Sequence, residues 1–86
     1  PRIVECSAVT FGKQCRGGIS WDLVWVTTDA ADALYQASGG TPQTGAASGS
    51  GTVCHPASRT GTSFVLTATG PGGVVQQVVT GQSGVL

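Results

Sequence analysis

The chain has 86 residues, among them 14 Gly, 11 Thr and 8 Ser, and its four Lys/Arg balance four Asp/Glu for a net charge of zero. That balance excludes the basic footprint selected by phosphate backbones and anionic lipid surfaces, so nucleic acid is not an expected partner. The longest apolar run, residues 23–26, is far short of the ~20 residues needed to span a bilayer, so membrane insertion is not expected either.

A chain of this length forms one domain, residues 1–86, with about 3–80 structured and 81–86 a tail. It buries only roughly 60% of its unfolded surface and sits near the size at which a covalent staple helps. An apolar fraction of 40% is too high for a disordered chain. The chain begins with Pro rather than Met, which is expected of a processed form or a fragment. Three Cys, a single Lys and no Met or Asn are an unusual cytosolic composition and point to a secreted or cell-surface setting.

In chain order, residues 3–9 mix β-branched and polar side chains as a first strand, and Gly12, Gly17 and Gly18 mark the loop after it. Ile19, Trp21, Leu23 and Trp25 then alternate with Ser20, Asp22 and Val24, the period-2 pattern of a central strand with one buried face. Residues 27–32 read as a polar turn. Ala33 and Tyr35 share the inward face of a short strand ending near Gln36, against the alternative of a helix over 29–37 capped by Asp29. Residues 38–51 hold five Gly, one Pro and no large apolar side chain, so no core element is expected there. A short strand over 52–55 follows, then a polar connection over 57–63 containing Arg59. Phe64, Leu66 and Ala68 alternate with Val65, Thr67 and Thr69 in a second strong strand, ended by the turn Gly70-Pro71-Gly72-Gly73. Residues 74–80 (VVQQVVT) form a last strand whose apolar face is ambiguous, which suits a sheet edge.

The segments GISWDLVW at 18–25, SGSGTVCHP at 48–56 and SFVLTATGPGG at 63–73 resemble, in order and spacing, a recurrent bacterial immunoglobulin-like module. The resemblance runs from about residue 3 to 79. Phe64 stands where that module usually has Tyr, and the cysteines are not part of its pattern. It implies an all-β fold, an antiparallel immunoglobulin-like β-sandwich of about seven short strands. It also implies a spacer, adhesion or ligand-presenting role, with no catalytic residues to carry over.

Three cysteines allow one disulfide and one spare thiol. In a sandwich the start of the central strand runs antiparallel to the end of the strand closing at Pro56, which brings Cys15 and Cys54 together. Cys6 is then the spare, either a small buried hydrophobe or a thiol for an intermolecular bridge; a Cys6–Cys15 bridge is the competing pairing. His55 is the sole histidine and no C-x-x-C or G-x-S-x-G occurs, so no metal, cofactor or catalytic set is expected and the chain reads as a non-enzyme. Trp21, Trp25, Tyr35 and Phe64 fit a core better than a sugar platform, because Trp21 and Trp25 share parity with Ile19 and Leu23.

The leading functional expectation is an extracellular structural or adhesive module, including a self-assembling subunit of a filament or capsid surface joined through edge strands. Val24, Val26, Val75 and Val79 are the candidate contacts with a protein partner or a second copy. The alternatives are a glycan- or protein-binding module using the Gly-rich loop, and a secreted protease inhibitor presenting Arg59 on the 57–63 loop.

Overall fold

The computed structural model describes residues 1–37, 40–55 and 62–84. Among them lie nine strands and no helix: β1 Arg2–Thr10, β2 Gln14–Cys15, β3 Gly18–Thr28, β4 Asp32–Ala37, β5 Gln43–Gly45, β6 Gly49–His55, β7 Ser63–Gly70, β8 Gly73–Thr80 and β9 Gln82–Ser83. They form two sheets packed face to face as an all-β sandwich.

In the first sheet β3 is central, with β1 antiparallel on one side and β6 antiparallel on the other. Ile19 pairs with both Gln14 and His55, so β2 lies on the β1 side of β3, in line with β1. The break between β1 and β2 is bridged by side chain and backbone together. Thr10 Oγ1 donates to the Ser20 carbonyl at 2.8 Å, and the Ser20 N–H donates to the Lys13 carbonyl at 2.8 Å. The β2–β3 hairpin then turns at Arg16-Gly17, where Gly17 takes φ 89°, a region open to Gly at little steric cost. The second sheet has the order β5-β4-β7-β8, antiparallel throughout.

Alternation on β3 and β7 supplies the core. Trp21, Leu23 and Trp25 face Phe64, Leu66 and Ala68, closed in by Ala8 from β1 and by Ala33 and Ala37 from β4. Two aromatic pairs tie the layers together: Trp21 and Phe64 with ring centroids 5.3 Å apart, and Trp25 and Tyr35 at 5.0 Å. Such tilted pairs add about 0.5–1.5 kcal/mol each beyond the area they bury.

The Gly-rich stretch departs from expectation. β5 and the first residues of β6 are drawn from it, because the rings of the core supply the volume that its glycines lack. A Cβ on Gly45 would come 2.6 Å from Cζ2 of Trp25, and one on Gly51 would overlap the Tyr35 ring. The adjoining loop is held by the same region, since Trp25 Nε1 donates to the Ala46 carbonyl at 2.9 Å and the Thr27 N–H to Ser48 Oγ at 2.8 Å.

Pairing partners account for two smaller departures and decide one open alternative. Thr27 and Thr28, expected in a turn, extend β3 because β1 reaches them: Ile3 opposes Thr27 and Arg2 opposes Thr28. The segment from Asp32 is strand, not the alternative helix, its ladder to β7 running from Asp32 opposite Thr69 to Ala37 opposite Phe64. Gln82 and Ser83, expected in a tail, pair in parallel with Val9 and Thr10 of β1. The chain thereby crosses from the second sheet to the first immediately after β8.

Candidate interaction surface

Cys15 and Cys54 sit at one end of the sandwich, beside the start of β3. Cys15 and Cys54 are joined in a disulfide with Cα atoms 6.0 Å apart, linking β2 to β6 across the start of β3. The bridge closes a span of 39 residues, for which chain entropy gives about 4 kcal/mol. It lies near the surface, Cys54 being exposed, with its Sγ 3.3 Å from the Arg16 carbonyl oxygen. A disulfide sulfur has no proton, so this is a van der Waals contact and not a hydrogen bond.

Cys6 carries a free thiol on the inward face of β1, opposite Trp25 in the ladder, and packs half-buried against the core. Burial pushes its pKa above the ordinary thiol value. It borders a shallow groove of about 380 Å³ lined by Val4, Glu5, Ser7, Val24 and Gln77. A thiol kept protonated by burial is a poor nucleophile at neutral pH, which favours the packing role over the reactive one.

Val24 and Val26 point outward from β3, opposite Ser7 and Glu5 of β1. Val4 joins them at the bulge between Ile3 and Glu5, so the first sheet presents a small valine cluster to solvent. On β8 the facing differs from the expected one. Val75 and Val79 lie opposite Ala68 and Phe64 on the core side, and Val79 packs against the core. The outward valines are Val74, 61% exposed, and Val78, 66% exposed. Parity is decided by the two-residue turn: with Gly70 opposite Gly73, every odd-numbered residue of β8 meets an inward residue of β7.

Val74, Gln76 and Val78 continue an outer face built from Leu34 on β4 and from Val65, Thr67 and Thr69 on β7. Gln76 Nε2 donates to Thr67 Oγ1 at 3.0 Å across that face. Asp32, at its far corner opposite Thr69, is the charged residue in this part of β4. A branched sheet face that is free of charge away from that corner is the sort of surface that partners cover.

Trp21 and Trp25 are buried and Tyr35 and Phe64 belong to the core or pack on it, so none of the four forms a sugar platform. Phe11 is the exposed aromatic, beside a groove of about 430 Å³ shared with Thr10, Ile19, Trp21, Ser83 and Gly84. Its one local signal is a large apolar residue directly before Gly12 in a loop. Arg59 and the rest of the 57–61 connection lie outside the described residues. Among the described residues no three His, Cys, Asp or Glu side chains gather closely enough to hold a metal ion, and no helix is long and apolar enough to cross a membrane. The disulfide is compatible with an oxidising, extracellular compartment. The chain matches no protein-family model, no curated protein and no solved structure.

Proposed function

We propose that this chain is an extracellular immunoglobulin-like module with a structural or adhesive role, acting through contacts of its strand surfaces with a protein partner or a second copy. Strand order supports the immunoglobulin-like reading. β1, β3 and β6 take the places of strands A, B and E in one sheet, and β4, β7 and β8 those of C, F and G in the other. The staple differs from the inter-sheet bridge of antibody domains, since it joins β2 to β6 within one sheet. Where antibody domains cross-link strands B and F, this chain packs Trp21 and Leu23 against Phe64 and Leu66.

The observation that carries the functional reading is the outer face ending in Val74 and Val78, whose β7 and β8 strands carry no charge. A free soluble monomer normally interrupts such a face with Lys or Glu. The staple supports an oxidising location. Thiol trapping and fractionation of producing cells test the reading: Cys15 and Cys54 are expected to be oxidised in a protein found outside the cytosol. Recovery of a fully reduced protein from the cytosol would sink it.

A further inference from the structure

The sandwich has several sheet edges, and they are not equally protected. β5 and β9 are three and two residues long. β1 carries charges at Arg2 and Glu5 and a register shift between Ile3 and Glu5. β6 has two Gly among seven residues and ends in the disulfide region. Shortness, charge, bulges and weak strand formers are the devices that keep an edge from pairing. β8 has none of them: eight residues, GVVQQVVT, with no charge and no Pro, in unbroken register with β7.

Its free hydrogen-bonding groups can be assigned. The Gly81 N–H donates to the Thr62 carbonyl at 2.9 Å, which continues the β7–β8 ladder as a hydrogen-bonded pair. Antiparallel ladders alternate hydrogen-bonded and non-hydrogen-bonded pairs, so the odd residues of β8 bond to β7. The N–H and C=O groups of Val74, Gln76, Val78 and Thr80 therefore point away from β7, and among the described residues no strand pairs with that edge. The side chains of these same residues lie on the outer face.

We propose that β8 pairs antiparallel with β8 of a second copy about a two-fold axis through Gln76, joining two four-stranded sheets into one of eight strands. The occupant follows from the symmetry of the strand. The edge residues Val74, Gln76 and Val78 read the same in both directions about Gln76, and a two-fold axis normal to the sheet requires opposed residues to share a face, hence to have equal parity. Centring the axis on Gln76 places Val74 opposite Val78 of the second copy and Gln76 opposite its own counterpart, each pair exchanging backbone hydrogen bonds through the free groups. The outer face then carries a Thr67-Gln76-Gln76-Thr67 polar row flanked by valine pairs, and an uncharged strand meets its copy with no like-charge penalty. The pairing consumes the edge it uses, so the product is a closed dimer. A single-strand seam falls at the small end of interface sizes, so the dimer is a weak one.

This inference rests on the module reading above but is tested separately. Sedimentation equilibrium of the full chain between about 1 μM and about 1 mM is expected to show a monomer–dimer equilibrium. Gln76→Lys and Gln76→Glu each place like charges across the axis and should raise the dissociation constant at least about tenfold. An equimolar mixture of the two should recover the dimer. Tryptophan fluorescence of the buried Trp21 and Trp25 reports whether each variant is folded, and Val78→Lys offers a second break of the seam on an exposed position. A wild-type chain monomeric throughout the range overturns the proposal, and so does a Gln76→Lys protein that dimerises like wild type. A mixture that stays monomeric, or assembly running on beyond dimers, overturns it as well. Those outcomes leave the extracellular module reading to its own test of location and disulfide state.

Discussion

The β6 side of the sandwich and the β8 side are held together in different ways. Around β6 a disulfide, the Trp25 indole bond to Ala46, the Thr27 bonds to the 46–48 loop and two glycines filled by aromatic rings all converge. β8 is held by its ladder to β7, by β1 packed beside it and by Val79 against the core, while two of its four valines face solvent. A Gly-rich segment with little intrinsic strand tendency is thus made rigid by its neighbours. A strand of strong β-formers needs no such help and keeps one edge open. Where the fold spends its fixed contacts and where it leaves hydrogen-bonding groups free are separate places.

The contrast can be broken from the rigid side first. Trp25→Ala removes the ring that fills Gly45, the partner of Tyr35 and the bond to Ala46, and should cost about 3–5 kcal/mol. That is comparable with the whole stability of a small domain, so urea denaturation is expected to find the variant largely unfolded. Replacing Cys15 and Cys54 together by Ser should cost about 3–4 kcal/mol by the chain-entropy argument, measured as a shift of the urea midpoint. Loss of under about 1 kcal/mol would place the stabilisation elsewhere. Gly51→Ala forces a methyl against the Tyr35 ring, and overpacking of this kind should destabilise by about 1–3 kcal/mol.

On the open side the effects on stability shrink. Val78→Thr exchanges an exposed β-branched side chain for another and should change monomer stability by less than about 0.5 kcal/mol in thermal melts. A cost as large as that of Gly51→Ala would mean that β8 is as tightly held as β6. The smallest effect expected is a pH dependence from Cys6. Its folded pKa is raised by burial, so the folded state holds the thiol proton more tightly than the unfolded one. Stability is full below the unfolded thiol pKa of about 8.5 and falls as pH rises through the folded value. Cys6→Ala should abolish that alkaline slope in denaturation curves taken above neutral pH.

How much of this was legible in the sequence differs by element. β3 and β7 were, because Ile19 to Trp25 and Phe64 to Ala68 alternate cleanly and only one face can be buried. The Cys15–Cys54 pair was also legible, since antiparallel neighbours of one central strand bring their ends together. β5 and the start of β6 were not, because nothing local in Gly45 or Gly51 announces the ring that will lie over it. Phe11, the exposed aromatic beside the groove, was not legible either, because an apolar residue in a loop carries no periodic signal.

β8 marks the boundary most clearly. Its composition alone determined that it would be a strand, uncharged and unprotected as an edge, since Val favours the pleated surface and nothing in VVQQVV interrupts it. Which valines would meet the core was undetermined locally, because the pattern is symmetric and both parities are equally apolar. The tertiary structure decided it through one turn: Gly70 opposite Gly73 sets the register, and in a strand of period two a register sets every face at once.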